Sequence, residues 1–255
     1  MTARPRASAR EATTAVATNA ARVPGIDALR GIAIVAMVAY HFAFDLAYLR
    51  VADWNFYRDP FWLHARTAIL SSFLLLAGVS LVLADRAGAS TRDFVRHVLR
   101  ISACALLVTM ATLVVFPRSF IWFGVLHAIA VALVLSRPLV RLPLAALAIG
   151  VAMIVAGNSF AAPAFNVPGL GWIGFATTRP PTEDYVPLFP WMGVMLVGIT
   201  AGHALAARHW APVRGLARAP RVLQMLGRHS LAVYMVHQPV LMGLAWLIAT
   251  ALGRR

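Results

Sequence analysis

The sequence predicts an all-α fold: a polytopic transmembrane helical bundle of about seven helices with the N-terminus inside. Three observations carry that prediction. Of 255 residues, 60% are hydrophobic and only 13% charged, whereas a soluble domain has about 45–50% apolar residues and about a quarter charged. Mean hydropathy is +0.75, leaving too little polar surface to cover a globule. Seven apolar stretches approach or reach the roughly 20 residues that cross a bilayer as helix. Finally, the 23 basic residues, all arginine, fall in small groups between those stretches, as the positive-inside rule requires.

The same numbers exclude other classes. A net charge of +14 would suit nucleic acid if the cations formed a patch or run, and they form neither. Cys104 stands alone, so no disulfide scaffold exists and no redox compartment is indicated.

Taken in order, residues 1–22 (MTARPRASAREATTAVATNAAR) hold no apolar run and no secretory h-region, and read as a disordered basic tail, with a transit peptide as the alternative. Residues 23–255 form the membrane domain. Its apolar stretches are approximately 26–49, 66–84, 100–116, 120–136, 142–157, 187–207 and 230–250. The third and fourth suit a tight hairpin, with Pro117 ending one helix and Ser119 capping the next. With the tail inside, Arg4, Arg6, Arg10, Arg22, Arg30, Arg86, Arg92, Arg96, Arg100, Arg137, Arg141, Arg208, Arg214, Arg218, Arg221 and Arg228 are inner, 16 in all. Arg50, Arg58, Arg66, Arg118, Arg179, Arg254 and Arg255 are outer, 7 in all. The outer segment 158–186, rich in Pro, Gly and aromatics, is expected to lie on the interface or fold back over the helices. The segment 208–229 reads as an inner connection with five arginines.

Ionisable side chains in hydrocarbon cost roughly 2.5–3.5 kcal/mol on insertion scales and so mark function by default. In the first helix, at about 100° per residue, Arg30 lies at about 300° from Asp27, His41 at about 320° and Asp45 at about 0°. These four share a sector about 60° wide along about 27 Å of helix. Asp27 and Arg30 read equally as a salt-bridged helix start. His41 and Asp45, spaced i,i+4, suit a general base oriented by a carboxylate. No metal site is expected, since nothing supplies further ligands. His127 lies midway along the fourth predicted helix. Asp184 and Tyr185 stand at the entrance of the sixth, either capping it or binding a polar acceptor. In LGRHSLAVYMVHQPV, Ser230 is available as a cap, Arg228 and His229 sit at the inner interface, and His237, Gln238 and Pro239 lie within the membrane.

The strings GIDALRGIAIVAMVAYHFAFDL, SFLLLAGVSLVLA, IWFGVLHAIA, DYVPLFPWMGVMLVGITAGH and LGRHSLAVYMVHQPVL, in this order, resemble the catalytic-domain family of heparan-alpha-glucosaminide N-acetyltransferase, especially its small bacterial members. The resemblance runs from about residue 22 to 250. It implies an integral protein of the bacterial inner membrane that moves an acetyl group from cytosolic acetyl-CoA to a sugar amine or similar acceptor on the outer side. CoA phosphates would then fall to Arg30 and Arg228, with His229 and His237 beside them. The acceptor would fall to Asp184, Tyr185 and His127, and catalysis to His41, as base or transient acyl carrier, and Asp45. The stretch YLRVADWNFYRDPFW has no histidine before His64, so the catalytic role goes to His41 by position and chemistry, and heparan-type specificity is not carried over. Expected partners are a small-molecule acceptor and the bilayer, no nucleic acid, with a homo-oligomer left open. The rival readings are a permease for a small polar solute and a non-catalytic membrane protein.

Overall fold

The computed structural model describes residues 23–167 and 169–254, so the tail expected at 1–22 lies outside the described residues. Among them every named element is helical. The main helices are α1 (Pro24–Tyr48), α2 (Pro60–Arg86), α3 (Thr91–Val115), α4 (Val125–Ser136), α5 (Pro143–Ser159), α6 (Leu188–Ala207), α7 (Arg221–Arg228) and α8 (Ser230–Ala251). Five of them, α1, α2, α3, α6 and α8, are long and apolar enough to cross a membrane, and α4 and α5 are shorter.

Local chemistry sets the starts. Proline opens α1, α2 and α5, where its missing N–H is no loss. Asp59 caps α2 by accepting from Phe61 N at 2.9 Å. Ser90 caps α3, accepting from Asp93 N at 3.1 Å while its hydroxyl donates to Asp93 Oδ2 at 2.7 Å. That cap begins α3 at Thr91, well before the apolar run expected at 100, and carries Arg92, Arg96 and Arg100 into the helix. Likewise α2 starts at Pro60 rather than 66.

Five local expectations are corrected. The hairpin at Pro117 is not tight, because α3 ends at Val115 and α4 begins only at Val125. Ser119 caps nothing; its hydroxyl donates to Glu183 and its carbonyl accepts from Glu183 N. The cap of α4 comes instead from Asp184, whose Oδ2 accepts from Val125 N at 2.8 Å, so this carboxylate serves α4 and not the adjacent α6. His127 therefore stands in the first turn of α4, not at its middle. Ser230 is the first residue of α8, which has no side-chain cap. The segment 208–229 contains α7, a short amphipathic helix that docks on α1.

Helix packing relies on backbone approach through glycine, as in membrane bundles generally. On α2 and α6 it is reciprocal: Gly78 abuts the Met195 carbonyl and Gly198 the Leu75 carbonyl. Gly150 of α5 and Gly193 of α6 face each other in the same way. Leu74, Met195, Leu196 and Ile199 are fully buried in this seam. In contrast, Leu106, Leu107, Met110 and Val114 of α3, and Val236, Val240, Leu244 and Leu247 of α8, are exposed, as lipid-facing residues are.

The segment between α5 and α6 folds back over the helices as expected. Ala162 N donates to Phe175 O at 2.9 Å, and the Phe175 ring lies 4.5 Å from that of Phe189 on α6. Gly174, at φ 111°, takes the turn where a Cβ would collide with the Phe189 carbonyl. At the arginine-rich end, Arg141 makes a bidentate pair with Asp85, at 2.9–3.1 Å. Thr200 and His203 bond the Pro143 and Val140 carbonyls at 2.8 Å, fixing α6 to the turn before α5.

Gly78→Leu is expected to lower stability by about 1–3 kcal/mol or more through overpacking against α6. Gly243→Ala, on α8 where a methyl group would meet nothing within 4 Å, is expected to be neutral or slightly stabilising. Thermal unfolding of both variants in detergent checks the pair.

Candidate active site along the first and last helices

Helices α1 and α8 run parallel, since contacts between α1 with its following turn and the stretch from the end of α7 through α8 to Arg254 occur in the same order along both. From the arginine-rich end these are Asp27 with Arg228, His41 with His237, Asp45 with Gln238, and the Arg50 carbonyl with Arg254. In the polar sector predicted for α1, Asp27 and Arg30 thus meet α7, with Arg30 also reaching α2, while His41 and Asp45 meet α8.

At the first of these levels Asp27, buried at 8% exposure, takes Arg30 Nη1 on Oδ1 at 3.3 Å and Arg228 Nε on Oδ2 at 3.2 Å. Arg30 also donates to Ser80 Oγ at 2.6 Å and to the Gly227 carbonyl at 3.4 Å. Gly227 abuts the Asp27 carbonyl and Gly31 the Leu223 carbonyl, so α7 lies on α1 backbone to backbone. One carboxylate against two guanidiniums leaves one net positive charge. Asp27, Arg30, Ser80 and Arg228 line a cavity of about 260 Å³.

About 21 Å further along α1, at 1.5 Å per residue, the rings of His41 and His237 meet edge to face, 4.9 Å apart. Each ring donates Nδ1–H to a backbone carbonyl, His41 to Met37 at 2.9 Å and His237 to Tyr234 at 2.6 Å, leaving each Nε2 as an acceptor. Gln238 Nε2 donates to Asp45 Oδ1 at 2.7 Å. Three buried atoms here have no hydrogen-bond partner among the described residues: Asp45 Oδ2, His237 Nε2 and Gln238 Oε1. Buried polar atoms are normally satisfied, so these acceptors are open to a hydrogen-bond donor, an ordered water or a ligand.

The predicted sets are partly regrouped. Asp45 does not orient His41, because Gln238 occupies its Oδ1 and the Met37 carbonyl occupies His41 Nδ1. Among the expected CoA ligands Arg30 and Arg228 come together, but His237 sits with His41. His229 is exposed, its Nδ1–H donating to Met225 O at 3.0 Å. Asp184, Tyr185 and His127 gather at the start of α4, Asp184 and His127 holding it and Tyr185 holding the segment between α5 and α6. Tyr185 Oη donates to Gly171 O at 2.5 Å. The Thr109 hydroxyl donates to Ile121 O at 2.7 Å, so His127 Nε2–H donates to Thr109 Oγ1 at 3.2 Å, and Nδ1 accepts from Gly124 N at 3.3 Å. Both ring nitrogens are thereby used, Nε2 joining α4 to α3 and Nδ1 holding the N-cap of α4 itself. Burial raises the Asp184 carboxyl above the usual carboxylate range, against the Val125 N–H bond and the charges of Arg179 and Arg66, which lower it.

Two participants were not among the predicted site residues. Gln238 was legible as a polar residue beside Pro239 at membrane depth. Ser80 carried no signal, since a lone serine in a helix ordinarily bonds its own backbone, as Ser80 does to Leu76 O. A second cavity, of about 700 Å³, opens at the far end of α1. Neither cavity is lined by His41 or His237. The histidine pair lies between them along α1.

Asp27→Asn is expected to lower stability by roughly 1–3 kcal/mol, discounted because Arg228 is half-exposed. The double variant Asp27→Asn/Arg228→Gln should recover part of the loss, which thermal unfolding of the single and double variants measures.

The catalytic family of heparan-alpha-glucosaminide N-acetyltransferase matches residues 22–239, which includes every α1 and α8 residue of the two polar levels. No curated protein matches the chain significantly. Neither does any solved structure. With most of its length matched, and with helices long and apolar enough for several membrane crossings, the chain belongs to the heparan-alpha-glucosaminide N-acetyltransferase catalytic family of membrane acetyltransferases.

Proposed function

We propose that this protein transfers an acetyl group from acetyl-CoA, bound at the arginine-rich face, to an amine or hydroxyl acceptor at the opposite face, an amino sugar being the acceptor the family suggests. In this reading α4 and α5 complete seven passes and the N-terminus is inside, an orientation supported by the 16 to 7 division of arginines. The observation that carries the proposal is the set of unmet acceptors around His41 and His237, deep between two parallel helices whose ends face opposite sides.

The donor set at the Asp27 level suits a phosphate. Arg30 and Arg228 offer N–H groups with net positive charge, Ser80 Oγ holding Arg30 in place by accepting from it, and Arg208, Arg214, Arg218 and Arg221 belong to the same inner connection. A cavity of about 260 Å³ is below the size that encloses a drug-sized ligand, so it fits one phosphate group and leaves the remainder of a coenzyme to the surrounding arginines. Acetyl-CoA, when bound, supplies a thioester activated toward nucleophiles. His41 Nε2, its lone pair fixed outward by the Nδ1–H bond to Met37, accepts the proton of the attacking amine or hydroxyl. Gln238, anchored on Asp45, turns its free Oε1 toward the acceptor's remaining donors. His237 Nε2 provides a second acceptor beside His41. Asp184, Tyr185 and His127 support this site by holding α4 and the segment over it.

His41→Ala is expected to reduce kcat by about 10²–10⁴ without loss of folding, measured as CoA release with glucosamine as acceptor in purified protein. Arg228→Ala should instead raise KM for acetyl-CoA. Unchanged turnover in folded His41→Ala would remove that residue from the mechanism.

A further inference from the structure

The second cavity, about 700 Å³, is formed by the last turn of α1 and the connection to α2, and it is large enough to enclose a small ligand. Its floor is aromatic and rigid. Phe56, 5% exposed, stacks on Trp62 at 4.1 Å and meets Phe44 edge-on at 5.3 Å. Phe44 in turn contacts Tyr48 and Tyr57. The rim carries one cation, Arg50, and one anion, Asp53. Neither forms an ion pair with the other or with any other of the described residues.

Arg50 is unusual for its position. It terminates α1 with φ 57°, in the left-handed region where glycine or asparagine ordinarily closes a helix. Its backbone does what glycine would do there, donating N–H to Ala47 O at 3.0 Å and accepting at its carbonyl from Arg254 Nη1 at 2.9 Å. The turn therefore gains nothing from the side chain of Arg50, a residue that lines the cleft. A single ring separates the cleft from the histidine pair. Tyr40 touches Phe56 at 5.2 Å on one side and His41 at 5.6 Å on the other.

We propose that this cleft is the docking subsite of the acceptor and selects a small zwitterion, an amine that also bears a phosphate or carboxylate. Arg50 holds the anionic group, and Asp53 with the aromatic faces holds the ammonium. A ligand with only one charge would leave the opposite rim charge unmatched or facing its like. The assignment of the ligand as acceptor rests on the acetyl-transfer reading above. The existence of the subsite does not, and the experiment separates the two.

The test is titration of detergent-purified protein with O-phosphoethanolamine, ethanolamine and inorganic phosphate, in the parent and in Arg50→Gly and Asp53→Asn. The zwitterion is expected to bind at least about tenfold more tightly than either half, and each variant to lose about tenfold or more. Arg50→Gly should melt at or above the parent, because glycine suits the left-handed turn and keeps the carbonyl that Arg254 uses. Asp53→Asn, on an exposed loop, provides a second variant whose fold is not in question. Repeating the titration in nanodiscs with and without phosphatidylethanolamine identifies the source. Competition by the lipid assigns the subsite to a headgroup, and its absence assigns a soluble zwitterion; both support the site. Equal binding of the halves, or full affinity in both variants, overturns it. Acetyl transfer without zwitterion binding would remove the subsite alone, and zwitterion binding without acetyl transfer would remove the acceptor role alone.

Discussion

The Asp27 carboxylate, shared between Arg30 of its own helix and Arg228 at the end of α7, sets the relation between the two ends of the chain. A carboxylate that is 8% exposed is costly to bury without partners, and here both oxygens have one. The glycines at 31 and 227 let the two backbones come close enough for those bonds to form. Once α7 is fixed at that point, α8 leaves from it alongside α1. The register that brings His237 to His41 and Gln238 to Asp45 follows from this anchorage. The ion cluster and the histidine cluster are therefore coupled through the rigid length of two helices, although about 21 Å separates them.

The two clusters differ in kind. At Asp27 the charges compensate one another, with Ser80 and the Gly227 carbonyl absorbing further N–H groups. Around His41 the balance is one of acceptors in excess, since both imidazoles direct their N–H groups to backbone carbonyls and Gln238 directs its N–H to Asp45. An excess of acceptors in a low-dielectric site raises the value of any ligand that donates. It also distinguishes this site from packing polar groups such as His127 and Thr109, whose bonds are complete. In the proposed reading His41 serves this site as a base whose lone pair is already oriented by the Met37 carbonyl.

Hydropathy makes the helices legible, and caps explain where their ends depart from the apolar runs. The apolar run of α3 begins near 100, but Ser90 and Asp93 start the helix at Thr91, so arginines that hydropathy assigns to a loop are helical. The start of α4 escapes any local pattern because its cap, Asp184, lies 59 residues along the chain. Angular spacing places Asp27, Arg30, His41 and Asp45 on one face, as the structure has them. It also suggests that His41 and Asp45 bond each other, which they do not, because i,i+4 proximity gives no preference over a better-placed donor on another helix.

What the sequence determined by itself was the environment and the segments: the apolar excess requires a bilayer, and helical periodicity requires that the α1 polar residues face away from lipid. The family resemblance, carried by five strings in order, was also contained there. What only the tertiary structure decided was pairing. Asp27 selects Arg228, Asp45 selects Gln238, Asp184 caps α4, and Arg50 lines an aromatic cleft with no ion pair among the described residues. The reason is physical. Burial in hydrocarbon obliges polar groups to find partners, but which partner is reached depends on the distances and directions set when helices close on one another through their glycines.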